Sequence, residues 1–316
     1  MTNAFVFPGQ GSQAVGMGAA LAESFAAARL VFEEVDDALG QKLSRLMREG
    51  PEAELTLTAN AQPALMAVSL AVVRVLEQEG GFRLSERASC MAGHSLGEYS
   101  ALAASGALAL AESARLLRVR GAAMQEAVPV GEGAMAALLG LDLPAVNAVV
   151  DAVRAEMGRV CESANDNAPG QVVISGHKDA VERAIQLAQE RGAKRAVLLP
   201  VSAPFHCTLM APAARRMEEA LAGAGIQAPA VPIIANITAQ PVIDAAGIRA
   251  LLVQQVTGTV RWRESVETMR HRGVTRVVEL GAGKVLAGLV KRIDRDVETH
   301  SVHGPAEIEA VLKILG

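Results

Sequence analysis

The chain has 316 residues, of which 51% are apolar and 3% aromatic, and its formal net charge is −4. At about 150 residues per domain, this length suggests two domains or one large domain with an insertion. The sequence contains no basic block and no uninterrupted apolar run of membrane length, which argues against nucleic-acid binding and membrane insertion.

The first predicted element is a short strand, Ala4–Phe7, which ends at the glycine-rich loop Pro8-Gly-Gln-Gly-Ser-Gln13. The spacing of these glycines does not match a dinucleotide-binding fingerprint. The N-terminus lacks the basic region and cleavage site of a signal peptide. The three cysteines have no metal-ligand spacing and cannot all pair, so we expect reduced thiols and a cytoplasmic protein.

Helical periodicity follows over residues 18–39 and 43–47, and the longest predicted helix begins at about Gln62 and ends near Gln78. This helix is apolar on nearly all sides, so we expect it to be buried. A core built from Ala, Leu, Val and Met suits helices that pack closely on a buried parallel sheet.

The segment Ala88–Ala101 carries the strongest chemical signal. A short apolar run leads into Gly93-His-Ser-Leu-Gly97, and a helix-forming segment follows. Gly-x-Ser-x-Gly between a strand and a helix is the nucleophile-elbow pattern, which holds the hydroxyl of Ser95 at a helix N-terminus. An incidental glycine-rich turn is the alternative, but the strand before and the helix after favour a catalytic serine.

The next predicted helix, Ala111–Ala127, places a charge on its inward face. At 100° per residue, Arg120 lies between Leu116, Leu117 and Met124 in the apolar stripe. A guanidinium in that position needs an anionic partner. It is either part of a structural ion pair or a fork for a carboxylate that arrives with the substrate.

The order of the predicted elements changes after Val128-Pro129. The following 70 or so residues predict the order β-α-β-β-α-β of a ferredoxin-like unit, with strands at 134–140, 160–163, 171–175 and 196–199 and a loop at 164–170. We interpret residues 129–200 as an insertion into a larger catalytic unit formed by residues 1–128 and 201–316. The larger unit resumes at a loop that holds His206, and strands at 231–235 and 277–280 alternate with helices to the C-terminus.

Five motifs in this order give the chain its resemblance to the malonyl-CoA:acyl carrier protein transacylases, and the resemblance covers essentially the whole length. They are Phe7-Pro-Gly-Gln-Gly-Ser-Gln13, Gly93-His-Ser-Leu-Gly-Glu-Tyr-Ser-Ala101, Arg118-x-Arg120-Gly with Met124-Gln125, Asn167-x-Pro-Gly-Gln-Val-Val-Ile174 and Pro204-x-His206. The resemblance implies an α/β-hydrolase-like large subdomain with a central, mostly parallel sheet and an inserted ferredoxin-like small subdomain.

The resemblance also implies the residues of the catalytic step. Ser95 matches the nucleophile and His206 its general base. Gln255 matches the glutamine whose main-chain carbonyl orients the histidine. Gln10 and Leu96 match the positions whose backbone N–H groups form the oxyanion hole.

Three further positions are expected to contact the substrate. Arg120 matches the arginine that binds the malonyl carboxylate, Asn165 matches a polar residue that lines the site, and Met124 belongs to the arginine motif. The implied reaction moves a malonyl group from malonyl-CoA to the phosphopantetheine thiol of acyl carrier protein through a malonyl-serine, for fatty acid elongation. We expect these two partners, a monomer, and no cofactor, metal, nucleic acid or membrane.

Several alternatives stay open at this point. A serine esterase or thioesterase shares the elbow and would use a late histidine, His300 or His303. A decayed carrier-protein docking module, a malonate decarboxylase subunit or a polyketide loading enzyme would share the motifs. Cys207 is expected to serve packing rather than nucleophilic attack. Lys194-Arg195 is either an ordinary solvated pair or part of a positive rim that docks acidic carrier protein.

Overall fold

A computed structural model describes residues 1–201 and 203–316 of the chain. The described residues form ten strands that lie in two separate sheets. The strands are β1 (Asn3–Phe7), β2 (Cys90–Gly93), β3 (Gly133–Leu139), β4 (Cys161–Ala168), β5 (Gln171–His177), β6 (Arg195–Leu198), β7 (Ile233–Ile234), β8 (Pro241–Val242), β9 (Arg276–Leu280) and β10 (Glu298–Val302).

The helices of the described residues cover both faces of the larger sheet and one face of the smaller one. They are α1 (Ala19–Ser24), α2 (Ala26–Leu39), α3 (Leu43–Glu49), α4 (Glu52–Leu55), α5 (Thr58–Gly80), α6 (Gly97–Ala104), α7 (Leu110–Glu126), α8 (Leu143–Met157), α9 (Lys178–Glu190), α10 (Ala211–Ala222), α11 (Ala245–Gln255), α12 (Trp262–His271), α13 (Val285–Ile293) and α14 (Pro305–Leu315).

The larger sheet has six strands in the order β10-β9-β1-β2-β7-β8. Neighbouring strands in this sheet are parallel, except that β7 and β8 are antiparallel to each other. The register pairs Phe7 with Gly93, so β1 and β2 end side by side. Ligands of such sheets bind beyond the carboxyl ends of the strands, and the glycine-rich loop and the elbow both leave the sheet at that edge.

The long helix α5 is a core element. It has the length and apolar composition of a membrane span, but 89% of its most apolar window is buried inside the protein. It begins at Thr58, four residues before the predicted start, and Pro63 lies within it. Pro63 is the sixth residue of the helix, beyond the N–H groups that have no intrahelical partner, so α5 lacks the one hydrogen bond that an N–H at this position would donate to the oxygen of Ala59. The described residues contain no other helix that passes this test.

The smaller sheet has the order β4-β5-β3-β6, all antiparallel, and α8 and α9 pack on it. This is the ferredoxin-like arrangement, and together with the parallel-rich larger sheet it confirms the predicted fold class. The predicted loop at 164–170 is wrong, because β4 continues to Ala168. Two irregularities, at Ser163/Asn165 and Asp166/Ala168, let the polar residues of this stretch stay in the ladder.

The two sheets are joined through β4. Asn165 forms a parallel bridge with Val260, just before α12. The buried carboxylate of Asp166 receives the guanidinium of Arg263 from α12, with Nη2 and Oδ2 2.9 Å apart. A buried carboxylate is stable only when paired, so this contact fixes the small sheet against the large unit.

Candidate active site

Ser95 lies at the bend between β2 and α6, and its backbone is in the left-handed region with φ of 53°. Such a conformation is strained for a residue with a side chain and persists only where its surroundings hold it. A Cβ on Gly93 would lie 1.9 Å from the carbonyl carbon of Gly97, and a Cβ on Gly97 would lie 2.2 Å from the oxygen of Phe7. The two glycines therefore make this bend possible.

Asn236, which follows β7, braces the bend from the neighbouring strand. Its Oδ1 accepts the backbone N–H of Ser95 at 2.7 Å, and its Nδ2 donates to the oxygen of Gly93 at 2.6 Å. The strained conformation of the serine is thus held by two side-chain hydrogen bonds as well as by the tight glycine packing.

His206 contacts the serine from a sequence distance of 111 residues. Its Nε2 lies 2.8 Å from Oγ of Ser95, and its Nδ1 lies 2.9 Å from the main-chain oxygen of Gln255. A carbonyl oxygen can only accept, so Nδ1 carries the hydrogen and the neutral ring leaves Nε2 free to accept the serine O–H. His206 also has a positive φ, 59°.

Burial keeps this imidazole uncharged. Only 4% of His206 is exposed. Desolvation, reinforced by the nearby charge of Arg120, lowers the pKa of His206 to about 3. The ring is therefore an acceptor for a proton at neutral pH and not an imidazolium.

Arg120 reaches the same serine from α7. A Cβ on Gly121 would lie 2.5 Å from the oxygen of Thr58, so only glycine lets α7 approach the start of α5 this closely. That approach brings Nη1 of Arg120 within 2.8 Å of Oε1 of Gln62. Nη2 donates to Oγ of Ser95 at 3.1 Å and to Oε1 of Gln255 at 2.9 Å.

The environment of this guanidinium is unusual for a buried cation. Arg120 is 1% exposed, and no described residue forms a salt bridge with it. Its direct partners are neutral, and its Nε is buried without a partner among the described residues. Burial lowers its pKa, while Tyr99 and Glu98 act in the opposite direction. The guanidinium has five N–H donors and makes three hydrogen bonds, so donors remain for an anion.

Glu98, in the first turn of α6, lies on the far side of Gln255. Its Oε2 accepts Nε2 of Gln255 at 2.8 Å and the backbone N–H of Asn236 at 3.0 Å. Glu98 is 2% exposed. Desolvation raises its pKa to about 7, and the two hydrogen bonds and the charge of Arg120 limit the rise.

The remaining predicted positions surround this centre. Gln10 donates from Nε2 to Oγ1 of Thr58 at 3.4 Å, and Leu96 is the residue that precedes α6. Met124 lies one turn after the arginine on α7 and is 1% exposed; its sulfur is 3.8 Å from Nε2 of Gln62. It therefore supports the glutamine that holds the arginine.

Like Gln10, Leu96 and Met124, Asn165 shows no hydrogen bond among the described residues to the serine, histidine or arginine of the site. Its backbone bridges to Val260 instead. Asn167, two residues on, makes the contact with the elbow: its Oδ1 lies 2.8 Å from Nε2 of His94. His94 also packs against the ring of Trp262 and supports the bend rather than facing Oγ of Ser95.

The late histidines lie elsewhere. β10, which carries His300, is separated from β2 by two strands, about 14 Å at the usual strand spacing. Nε2 of His300 contacts Glu298, and Nε2 of His303 lies 3.7 Å from Glu307. The thiol of Cys207 is buried and donates to the oxygen of Pro204, and desolvation raises its pKa to about 11.

Three residues of the site escaped sequence reasoning: Gln62, Asn236 and Glu98. A buried polar residue in an otherwise apolar helix was the available signal for Gln62. Glu98 is part of the elbow motif, but an acidic residue in a first helical turn has an ordinary explanation in the helix dipole. Asn236 lies two residues after the two-residue strand β7, and no pattern in the sequence distinguishes it from an ordinary loop asparagine.

The fold and the site define a class, the acyl transferases: a strained serine at a strand–helix bend, a histidine held by a backbone carbonyl and a buried arginine beside them. The family model for the acyl transferase domain matches residues 4–306. The chain is 47% identical to the malonyl CoA-acyl carrier protein transacylase of Bacillus subtilis (strain 168) over 312 residues, 99% of this chain and 96% of the relative.

Two further comparisons agree. The Escherichia coli K12 protein of the same name is 46% identical over 311 residues, 98% of this chain and 99% of that protein. The crystal structure of the acyl-carrier-protein S-malonyltransferase from Bartonella henselae superposes with a TM-score of 0.97 at 57% identity, with full coverage of both chains. The chain therefore belongs to the malonyl-CoA:acyl carrier protein transacylase family, and it is an acyltransferase.

Proposed function

We propose that the protein transfers the malonyl group of malonyl-CoA to the phosphopantetheine thiol of acyl carrier protein. One observation carries the proposal: Oγ of Ser95 contacts both Nε2 of His206, at 2.8 Å, and Nη2 of Arg120, at 3.1 Å. A nucleophile, a base and a cation that can bind a carboxylate thus meet at one oxygen. A related structure, 43% identical, contains a malonyl-transacylase in complex with a polyketide acyl carrier protein.

In the first half-reaction, Oγ of Ser95 attacks the thioester carbon while Nε2 of His206 takes the hydroxyl proton. The oxyanion is stabilised by the backbone N–H groups of Gln10 and Leu96. The packing of the loop against the elbow supports this role, since a Cβ on Gly9 would lie 2.9 Å from the oxygen of His94. The C–S bond breaks, the histidine returns the proton to sulfur, and coenzyme A leaves as a thiol.

In the second half-reaction, the carrier-protein thiol replaces coenzyme A. His206 accepts its proton, the thiolate attacks the malonyl ester, and Ser95 leaves with the proton that the histidine returns. A thiol is a good leaving group, so this scheme uses no metal ion or redox cofactor. Coenzyme A leaves before the carrier protein reacts, and the malonyl group stays on Ser95 in between, so the kinetics should be ping-pong.

Selection of malonyl over acetyl groups is assigned to Arg120. The malonyl carboxylate supplies the anion that the direct partners of the buried guanidinium do not provide. An acetyl group leaves the same cation without that anion. Truncating one member of a buried, charged hydrogen-bonded pair costs about 2–5 kcal/mol, which is roughly 30-fold to several thousand-fold in rate.

The wider setting follows from the same proposal. We expect a cytoplasmic enzyme that supplies malonyl groups for fatty acid elongation; the polyketide complex shows that a related protein serves another pathway. The serine, histidine and arginine contacts are complete within one chain, so the proposed reaction needs no residue of a second subunit, and we expect a monomer. A malonate decarboxylase subunit differs in its acyl acceptor and is separated from this proposal by the acceptor assay below.

Intact mass spectrometry tests the proposal directly. Incubation with malonyl-CoA should add one malonyl group to the protein, mapped to Ser95, and subsequent phosphopantetheinylated acyl carrier protein should remove it and gain the same mass. A Ser95→Ala variant is the matched control and should stay unmodified. Steady hydrolysis of malonyl-CoA without an acylated protein would favour a thioesterase. Stable acylation that carrier protein cannot discharge would contradict the proposed acceptor.

A further inference from the structure

The buried carboxylate of Glu98 has no part in the proton transfers described above, yet it is tied to the site through one amide. Nε2 of Gln255 donates to Oε2 of Glu98 at 2.8 Å, and Oε1 of the same glutamine accepts Nη2 of Arg120 at 2.9 Å. A single side chain thus links a buried anion to a buried cation. The main-chain oxygen of that glutamine holds the catalytic histidine.

The chemistry of the two ends fixes the orientation of the amide. An ionised carboxylate only accepts hydrogen bonds, and a guanidinium only donates them. The NH₂ of Gln255 must therefore face Glu98, and its oxygen must face Arg120. Nε2 of Gln255 also donates to the main-chain oxygen of Ser95 at 3.1 Å, so Glu98 and this carbonyl together keep the NH₂ away from the guanidinium, where two donors would meet.

The electrostatic consequence concerns the free site. Arg120 is 1% exposed and Glu98 is 2% exposed, so water screens neither charge well. The side chains that accept hydrogen bonds from the guanidinium are neutral. The anion that partly balances its charge is Glu98, which lies on the other side of the Gln255 amide. An incoming carboxylate has to compete with this resident anion.

Resting on the proposed function, we propose that Glu98 is a positioning residue that, together with the oxygen of Ser95, orients the amide of Gln255 and whose charge moderates the affinity of Arg120 for the malonyl carboxylate. Glu98 does not touch the substrate. It makes the buried arginine stable in the free enzyme and keeps malonyl binding weak enough for the group to be passed on. Acetyl-CoA carries no carboxylate on its acyl group, so its binding is independent of this charge.

Equilibrium binding separates this role from a structural one. Ser95→Ala prevents turnover, so calorimetry at pH 8 can compare this variant with Ser95→Ala/Glu98→Gln for malonyl-CoA and acetyl-CoA. Oε1 of the new glutamine can still accept both N–H groups, while the charge is removed and an NH₂ group replaces the other oxygen. We expect malonyl-CoA to bind about tenfold tighter, the size of a ~1.4 kcal/mol interaction, and acetyl-CoA to change less than about twofold.

A matched control uses another buried carboxylate. Glu279 is fully buried and accepts the backbone N–H groups of Leu286 and Ala287 at the start of α13. Ser95→Ala/Glu279→Gln removes a buried charge away from the site, together with one of the two hydrogen bonds that it accepts, and should leave both affinities unchanged. Unchanged or weaker malonyl-CoA binding in the Glu98→Gln protein would overturn the proposal. If Ser95→Ala itself does not distinguish malonyl-CoA from acetyl-CoA, the proposed function fails instead.

A second measurement covers a Glu98→Gln protein that does not fold. The Kd of the Ser95→Ala protein for malonyl-CoA should rise between pH 6 and pH 8.5 as Glu98 ionises, while that for acetyl-CoA controls for the phosphates of coenzyme A. The charged and titratable groups that interact with Glu98 are Arg120 of α7 and Tyr99 of α6. Parallel pH profiles for the two ligands would overturn the proposal.

Discussion

Arg120 donates a hydrogen bond directly to Oγ of Ser95, with Nη2 and Oγ 3.1 Å apart. The cation that is proposed to hold the far end of the substrate therefore also touches the nucleophile. Positive charge at that oxygen favours its alkoxide form, while the carboxylate and the serine share one guanidinium. Recognition and attack are consequently coupled through a single side chain.

Replacing this side chain tests the coupling. Arg120→Ala should lower the rate of malonyl transfer by roughly 30-fold or more, because about 2–5 kcal/mol of buried charged hydrogen bonding is lost. It should also admit acetyl-CoA. Steady-state assays with both thioesters provide the measurement. Arg115→Ala, on the exposed side of the same helix, is the control; near wild-type malonyl transfer by Arg120→Ala would refute the carboxylate assignment.

The histidine supplies the second prediction. His206→Ala should slow malonylation of Ser95 by about 10²–10⁴-fold, the usual contribution of a general base. Gln255→Ala keeps the main-chain oxygen that accepts the N–H at Nδ1 of the histidine, but it removes the side-chain partner of Arg120. This variant should therefore mainly lower the preference for malonyl-CoA over acetyl-CoA. Single-turnover acylation followed by mass spectrometry separates the two. Equal losses of acylation rate in both variants, with discrimination intact, would contradict this division of roles.

The third prediction concerns stability against pH. The pKa of His206 is lowered from 6.5 to about 3, so the unfolded state binds its proton first and stability is lost as pH falls below 6.5. The pKa of Glu98 is raised from 4.5 to about 7, so the folded state holds its proton and stability is lost as pH rises from 4.5 to 7. Between pH 4.5 and 6.5 the two effects oppose each other.

Removing the carboxyl of Glu98 leaves the pH dependence of His206 unopposed. In urea unfolding between pH 4.5 and 6.5, the free energy of unfolding of Glu98→Gln relative to the wild type should increase with pH, by about 1.4 kcal/mol per unit for one proton. Glu309→Gln, an exposed carboxylate on α14, should run parallel to the wild type. A parallel profile for Glu98→Gln as well would show that this carboxyl ionises as it does in the unfolded chain.

The fourth prediction concerns the cysteine next to the base. The thiol of Cys207 is buried, and its pKa is raised to about 11, so little thiolate exists at neutral pH. Iodoacetamide should not inactivate the native enzyme. Cys207→Ser retains a donor for the oxygen of Pro204 and should keep malonyl transfer within a fewfold of wild type. Rapid inactivation that malonyl-CoA prevents would point to a reactive thiol after all.

The fifth prediction addresses carrier-protein docking. Lys194 and Arg195 are exposed at β6, the edge strand of the smaller sheet. If they belong to a positive rim, Lys194→Glu/Arg195→Glu should raise the KM for acyl carrier protein several-fold and leave that for malonyl-CoA unaffected. Lys42→Glu/Arg45→Glu, on exposed positions near α3, controls for net charge. Equal KM values in all three proteins would identify an ordinary solvated pair.

Local pattern was sufficient for parts of the fold and the site. The elbow around Ser95 is written in six consecutive residues, and the β-α-β-β-α-β order of the small sheet follows from periodicity and turns. The inward position of Arg120 followed from helical geometry alone. Each of these features depends on residues close together in the sequence.

Features that depend on distant partners were not predictable in this way. Glu98 and Gln255 are 157 residues apart, and their hydrogen bond exists only because α6 and α11 meet at the site. The sequence does not predict β10, because four of its five residues are only half-buried and apolar and polar residues do not alternate clearly along it. β4 was cut short because Asn and Asp favour turns, whereas here Asp166 is paired with Arg263 and the strand continues.

Two contacts of β4 affect how substrates reach the site: the bridge from Asn165 to Val260 and the ion pair from Asp166 to Arg263. They join β4 of the smaller sheet to α12 and the residues just before it, so separating the two sheets would break an ion pair whose carboxylate is buried. We therefore expect the smaller sheet to stay fixed beside the site, so that the flexible pantetheine chains of coenzyme A and the carrier protein, rather than a hinge motion, bring each thioester to Ser95.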